Sequence, residues 1–413
     1  MTDSQQSRDQ RPTIAIIGGG PAGLTAAEIL SAAGLAVTIY ERMPTPGRKL
    51  LMAGRGGLNL THSEPFDALV SRFGAASSRL APILEAFPPS ALIAWAEGLG
   101  QEVFVGSSGR VFPKALKASP LLRAWLARLA AQGVTLRTRH EWLGWDESGN
   151  LTFRTSAAAT ETVRADVTIL ALGGASWPKL GSDGAWAAIL ARRGVIIRSF
   201  RPANCGFTIP WSEAFRDRFE GEPLKNIALS FAGRTARGDA MITRYGIEGG
   251  AVYAVSAALR EAIADAGRAS VEIDLRPDLS PVQIGAKLER RRPGQSTAQS
   301  LRKALNLSPL AINLMREAHG ISLPNDADAL AARIKSVPLT LTGAQSIDRA
   351  ISTAGGVDFM SLDETLMLRD LPGVYAAGEM LDWEAPTGGY LLQASFSTGA
   401  AVAKSVLRRY GLG

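Results

Sequence analysis

The apolar run Thr13-Ile14-Ala15-Ile16-Ile17 ends directly in Gly18-Gly19-Gly20-Pro21-Ala22-Gly23, and that junction restricts the chain to few folds. A continuous apolar run suits a strand buried on both faces of a parallel sheet. In a G-x-G-x-x-G turn the first glycine permits the sharp reversal, the second lets backbone approach a pyrophosphate, and the third lets the following helix pack on the strand. Helical composition follows from Pro21 to Ala33, Gly34 ends it, and Ala36-Val37-Thr38-Ile39-Tyr40 reads as the next strand. Glycine turns alone are common. Here a buried strand precedes the turn, a helix follows it, and Glu41 ends the second strand, placed to accept ribose hydroxyls. The unit is predicted to bind a dinucleotide, with the helix amino end holding its phosphates.

Two later apolar strands match this sheet: Val167 to Leu172, running into Gly173-Gly174, and Gly373 to Ala377, running into Gly378-Glu379. The stretch between them changes texture, with short strands at Ile227 to Phe231 and Val271 to Leu275 and a helical stretch from Pro281 to Ala318. The expected fold class is therefore α/β: a three-layer, Rossmann-like domain in two parts, residues 1–195 and 336–413, with an inserted mixed β/α region over 196–335. With 413 residues, more than one core is expected.

Composition narrows the function classes. Hydrophobic residues make up 46% and charged residues 20%, a globular balance. No apolar stretch approaches the roughly 18 to 20 residues that cross a bilayer, and Met1 to Arg11 read as a polar leader without a signal core. The single cysteine, Cys205, rules out an internal disulfide, which suits a reducing cytoplasm. Three histidines and one cysteine are too few for a clustered metal site, so no metal is expected. The net charge of +7 permits an anionic ligand or a nucleic acid without demanding either.

The far end of the chain favours FAD over a nicotinamide as the resident cofactor. Glu379, after a late strand, can hold a ribityl hydroxyl, and Thr387-Gly388-Gly389-Tyr390 opens a helical stretch from Leu391 to Leu407. A second helix amino end there can stabilise the negative charge of a reduced flavin.

With these motifs in place the chain resembles the HI0933-like flavoproteins, the bile-acid reductase (BaiN-type) or aminoacetone oxidase-like group. The matching stretches are the opening glycine turn with Glu41, GRKLLMAGRGGLNLTH from Gly47 to His62, GRVFPKALKA from Gly109 to Ala118, ALGGASWPKLGSDG from Ala171 to Gly184, TRYGIEGGAV from Thr243 to Val252, TAGGVDF, and the run ending at Gly399. The resemblance implies a two-part FAD domain with an inserted middle and flavin redox chemistry. One departure stands out. Much of the family reads G-G-G-R-C-N where this chain has Gly54-Arg55-Gly56-Gly57-Leu58-Asn59, so Leu58 replaces the cysteine and Gly57 the arginine. A mechanism that needs that thiol is in doubt for this branch.

The expected FAD-binding residues are thus Gly18, Gly20, Pro21, Ala22, Gly23, Glu41, Arg42, Lys49, Gly54, Gly56, Asn59, Gly173, Gly378, Glu379, Thr387, Gly388, Gly389, Tyr390 and Leu391. Trp142 joins them as a residue near the adenine, with core packing an equal reading. Lys49 and Arg55 could reach the pyrophosphate or an anionic substrate. Arg55, His62 and Tyr390 are the polar candidates for catalysis, although a loop histidine without that role is the more ordinary reading of His62. The leading expectation is an NAD(P)H-linked reductase of an activated C=C bond in a small molecule. A single glycine turn leaves no second dinucleotide domain, so NAD(P)H would visit transiently. Three rivals stay open: uridine reduction in RNA, an amine oxidase that makes peroxide, and a flavin-binding protein without catalysis. The RNA reading draws on Arg290-Arg291-Arg292 with Lys287, Arg302 and Lys303, a cluster that also reads as a solvated face with few aromatic residues for base stacking.

Overall fold

The computed structural model describes residues 11–290 and 294–412. The polar leader before Arg11, the Arg291 and Arg292 of the basic run, and the Arg55 side chain lie outside the described residues. The chain divides into two units, Met1–Arg201 with Ser352–Gly413, and Pro202–Ile351.

The first unit is built on a five-stranded parallel sheet. Its strands are β1 (Thr13–Ile17), β2 (Ala36–Glu41), β3 (Thr135–Thr138), β4 (Val167–Leu170) and β5 (Val374–Ala376), in the spatial order β5-β4-β1-β2-β3. Every residue of β4 and of β5 is buried, as their unbroken apolar runs require. Helices α1 (Pro21–Ala32), α2 (Ala118–Ala131) and α3 (Tyr390–Arg409) form one layer, with α1 against α3 and β2. The other layer is a small antiparallel sheet, Glu141–Trp145, Leu151–Arg154 and Thr160–Val163. It meets the parallel sheet where Phe153 stacks on Tyr40 at 4.3 Å between ring centroids. This is the three-layer, Rossmann-like arrangement the sequence predicts. From β1 the chain adds β2 and β3 on one side, then places β4 on the other. That reversal makes the carboxyl ends of β1 and β4 the crevice where open α/β sheets take ligands.

The second unit has its own core around a seven-stranded antiparallel sheet. Its central hairpin pairs Pro223–Phe231 with Arg234–Thr243, and Ala269–Asp274 lies beside it. The helical stretch expected from Pro281 to Ala318 is three helices: Pro281–Glu289, Thr297–Leu305 and Pro309–His319. Each is capped by the serine before it, and the first two by a full capping box.

The boundary expected at 335/336 is corrected. Val337–Leu341 pairs antiparallel with Ala269–Ile273 and belongs to the second unit, so the first unit resumes at Ser352. The strand alternates buried and exposed residues. That pattern marks an antiparallel sheet with one solvated face, and it was readable in Val-Pro-Leu-Thr-Leu. The earlier boundary likewise moves from 195/196 to 201/202.

Helix α3 carries Gly399 in its interior, where glycine is normally unfavourable by about 1 kcal/mol against alanine. A Cβ there would stand 2.3 Å from the Ala22 carbonyl oxygen, so α3 and the first turn of α1 meet backbone to backbone. Gly399→Ala should therefore destabilise the protein by about 1–3 kcal/mol through overpacking, despite its better helix propensity. Gly98→Ala, near the end of Pro89–Gly98 with only the Arg128 guanidinium within reach at 3.8 Å, should be neutral or mildly stabilising. Denaturant unfolding of the two variants beside the parent protein checks both signs.

Candidate functional site

The glycine turn closes on the end of β4. Gly18 takes a left-handed φ of +111°, and a Cβ there would lie 2.3 Å from the Ala171 carbonyl oxygen. A Cβ on Gly23 would meet the Gly18 oxygen at 2.1 Å. Gly20, between them, has open space where its Cβ would project. It is the N-cap of α1 and offers no side-chain cap, and Pro21 occupies the first turn. The α1 amino end is therefore uncapped by side chains and faces room, the condition for holding an anionic group.

Glu41 stands beside this turn. One of its carboxylate oxygens accepts the Gly19 amide at 2.8 Å, and the other accepts the Met43 amide at 2.8 Å. Burial pushes the Glu41 carboxyl up, and the two amides with the Arg42 and Arg48 charges recover only part of that cost. Each carboxylate oxygen has a second lone pair left for a hydroxyl donor. Glu41 thus shapes the turn as well as facing it, a double role the sequence alone did not show. Arg48 lies close enough to act on Glu41 electrostatically, and its Nε is buried without a partner. Arg42, expected at the cofactor, pairs with Asp183 at 2.5 Å.

The carboxyl end of β5 adjoins the same place. Gly378 has a φ of +83°, its Cβ position lies 2.9 Å from the Ala22 Cβ, and its amide donates to the Thr398 hydroxyl of α3 at 2.9 Å. Glu379 accepts the Thr353 amide at 3.0 Å and the Lys49 ammonium at 2.7 Å. Lys49 also donates to Ser176, at 3.0 Å. Lys49 is therefore the partner of Glu379, where the sequence pattern pointed to a pyrophosphate. Gly173 and Gly174, after β4, lie alongside: a Cβ on Gly174 would meet the Thr353 hydroxyl at 2.4 Å and the Glu379 carboxyl carbon at 3.3 Å.

The third wall comes from residues 54–62 and the start of α3. Gly54 packs so closely on α2 that a Cβ would meet that of Ala118 at 2.7 Å, while Gly56 is open. The Arg55 backbone lies in the short turn Gly54–Gly56. The Asn59 side-chain oxygen is buried with no hydrogen-bond partner. Thr387 and Gly388 lead into Gly389, the N-cap of α3 with a φ of +95° and no side-chain cap, and a Cβ there would strike the Thr61 backbone at 2.6 Å. Leu391, in the first turn, packs on the core.

Two catalytic candidates are engaged elsewhere. His62 Nδ1 accepts the Glu64 amide at 3.1 Å, so its Nε2 carries the hydrogen donated to the Ser108 carbonyl at 3.0 Å. The Tyr390 hydroxyl donates to Glu64 at 2.7 Å, its ring stacks on His62, and burial with the Glu64 charge pushes its phenol up. Burial alone would raise Glu64, but hydrogen bonds from Arg72 and Tyr390 outweigh it and hold the carboxyl below its usual range. These side chains anchor the head of α3. Trp142, read as an adenine neighbour or as core, is buried in the core edge-on to Trp145 at 4.9 Å. Glu64, Thr353 and Thr398 were missed. They act by contacts between residues far apart in the chain, and no local pattern marks them.

FAD fits this donor set. Two long-range features match a dinucleotide: an uncapped helix amino end faces open space, and a carboxylate stands at the end of the neighbouring strand. The unpartnered Asn59 oxygen and the α3 amino end, uncapped by side chains, are polar groups that would be available to the flavin part of the cofactor.

The family profile of the HI0933-like protein Rossmann domain matches residues 12–405. The chain belongs to that family. Among its relatives it is 27% identical over 414 residues to the 3-dehydro-bile acid delta(4,6)-reductase of Clostridium scindens, covering 96% of this chain and 99% of that one. It is 26% identical over 410 residues to the ribosomal RNA dihydrouridine synthase of Escherichia coli, covering 95% and 97%. The 3-ketosteroid delta1-dehydrogenase from Sterolibacterium denitrificans shares the fold, with a TM-score of 0.53 at 13% identity over 97% of this chain and 100% of that one. Family and relatives support a flavin oxidoreductase. Among the described residues no helix is long and apolar enough to cross a membrane, and no group of three or more His, Cys, Asp or Glu could hold a metal ion.

Glu41→Ala removes the acceptor of two backbone amides. Hydrogen bonds to a charged group typically carry about 1.5–3 kcal/mol each. FAD affinity should fall by roughly tenfold or more, and the cofactor-free protein should lose stability as well. Because the Glu41 carboxyl is raised, its contribution to cofactor-free stability is full below the ordinary carboxylate range and is lost as pH rises through the raised value. Hydroxyl donors favour the charged form, so FAD affinity should increase with pH across the same window. Titrations of parent and variant with FAD at several pH values test this, and an unchanged affinity in Glu41→Ala would reduce the carboxylate to a turn-holding role.

Proposed function

We propose that this chain is an FAD-dependent reductase of an activated C=C bond, with NAD(P)H as the reductant. The observation that carries the reading is the pairing of the uncapped α1 amino end with Glu41 at the carboxyl end of β2, beside the sheet's reversal point. The α1 amino end would hold the pyrophosphate and Glu41 the ribose hydroxyls. The end of β5 and the head of α3 would take the flavin. When bound, the flavin supplies the two-electron exchange.

The protein's own residues position and shield. The close approach of Gly18, Gly23 and Gly399 to backbone carbonyls gives the turn no freedom to shift. The Lys49–Glu379 pair holds a carboxylate at the end of β5 with its charge compensated. The α3 amino end would favour negative charge as it develops on reduction. The contacts of His62 with Ser108 and of Tyr390 with Glu64 keep the head of α3 in place. The substrate is a small molecule whose double bond is conjugated with a carbonyl, as the bile-acid reductase name describes for that relative. Cys205, buried and single in the sequence, suits the reducing cytoplasm in which we place the protein.

A second reading is uridine reduction in RNA. It is favoured by the concentration of Lys287, Arg290, Arg291, Arg292, Arg302 and Lys303 against Glu289 alone between residues 281 and 305.

Heating the purified protein should release non-covalent FAD that phosphodiesterase converts to FMN. Anaerobic NADH or NADPH should bleach the bound flavin, and a 3-oxo-4,6-diene bile acid or a uridine-rich RNA should restore its colour. Release of FMN alone would overturn the dinucleotide assignment. Stoichiometric peroxide with an amine would make the protein an oxidase, and a flavin that exchanges with none of these partners would make it a non-catalytic binder.

A further inference from the structure

Glu379 stands just past the end of β5, in the short turn Gly378–Met380, and its two oxygens are engaged differently. One accepts the Thr353 amide at 3.0 Å and the other the Lys49 ammonium at 2.7 Å. Thr353 is itself fixed, because its hydroxyl accepts the Ala175 amide at 2.8 Å. Lys49 reaches the carboxylate from the helix Arg48–Ala53 and also donates, at 3.0 Å, to the hydroxyl of the fully buried Ser176. An ammonium has three N–H groups. The third is taken by none of the described residues.

The ordinary account of such a contact is a structural link, and exposed ion pairs contribute little. This one is partly withdrawn from solvent, with the two side chains 26% and 15% exposed. On the β4 side, bare backbone rather than a side chain borders the carboxylate. A Cβ on Gly173 would come 4.0 Å from the Glu379 oxygen that Lys49 holds, and one on Gly174 would stand 3.3 Å from the carboxyl carbon. Each oxygen keeps a second lone pair, so a hydroxyl-bearing ligand can add to the pair without displacing it.

A carboxylate that accepts a ribityl hydroxyl also brings a negative charge close to the flavin. Two-electron reduction adds negative charge to the ring, and a like charge nearby opposes it. In a half-buried site that repulsion is screened far less than in bulk water. An ammonium 2.7 Å from the carboxylate cancels most of its field at the ring and leaves the acceptor in place. The same carboxylate without its partner would favour the oxidised flavin.

We propose that Lys49 is a positioning residue of the flavin site: it fixes Glu379 for hydrogen bonding and, by compensating its charge, sets the reduction potential of the bound flavin higher than the carboxylate alone would allow. This rests on the assignment, made above, of the end of β5 and the head of α3 to the flavin.

The test uses the full-length, FAD-loaded protein and follows the flavin absorbance during anaerobic equilibration with a redox dye, so it needs neither NAD(P)H nor a C=C substrate. In Lys49→Met the ratio of reduced to oxidised flavin at a fixed potential should fall at least tenfold, which for a two-electron couple is a shift of about 30 mV or more to lower potential. Lys49→Arg keeps the charge and should recover most of that loss. Glu379→Gln, which leaves the ammonium uncompensated, should raise the potential. Lys49→Met combined with Glu379→Gln removes both charges and should return the potential to near that of the parent, an outcome that lost packing alone does not produce. Arg154→Met, which breaks the pair with Glu141 in the small antiparallel sheet, should leave the potential as it is. Should Lys49→Met lose its FAD, the rise in Glu379→Gln and its reversal in the double variant decide the same question. Equal potentials in the parent and these variants overturn the proposal. So does a double variant as low in potential as Lys49→Met, because the charge of Glu379 would then play no part. A protein that holds no FAD overturns it together with the flavin assignment. Potentials that shift as expected, in a protein that reduces no conjugated C=C bond, uphold the role of Lys49 and end the reductase reading.

Discussion

The first unit depends on one steric constraint, the approach of bare backbone around the first turn of α1. The carbonyl oxygen of Ala22 lies where a Cβ on Gly399 would come within 2.3 Å, and Gly18 and Gly23 close the turn against Ala171 and each other. Gly378 meets Ala22 from a third direction. Side chains at these positions would push α1, α3 and the ends of β4 and β5 apart. Because none is present, the first turn of α1 meets the middle of α3 and the ends of β1, β4 and β5, and the polar groups around the glycine turn follow from that convergence.

Charge is then distributed so that the buried carboxylates are compensated by different means. Glu41 relies on two backbone amides and remains raised by burial, so it keeps an appetite for further hydrogen-bond donors. Glu379 has an ammonium partner in Lys49 and an amide in Thr353. Glu64 is held down by Arg72 and Tyr390 despite partial burial. Glu41 and Glu379 each accept one donor per oxygen and keep lone pairs for a hydroxyl-bearing ligand, whereas Glu64 joins elements through Arg72 and Tyr390.

Much of this was legible in the chain. The strands β1, β2, β4 and β5 were visible because burial on both faces demands unbroken apolar runs, and the glycine turn was visible because its backbone angles exclude side chains. The roles of Lys49, His62 and Tyr390 were not. A lysine near a glycine turn reads as a phosphate ligand until its actual partner, 330 positions away, is known. The backbone partners of the two His62 ring nitrogens are likewise set by the fold and not by any local pattern. The end of the inserted unit was misplaced because a strand's partner, not its apolar content, decides which sheet it joins.

By itself the sequence determined which residues could form a doubly buried parallel sheet, where a dinucleotide turn must lie, and that the chain carries both halves of one domain around an insertion. These are consequences of local sterics and hydrophobic periodicity, which act over a few residues. Only the tertiary structure decided which charges are spent on one another and which remain for a ligand. Pairing energies depend on distance and burial, and two groups hundreds of residues apart acquire both only when the chain has folded.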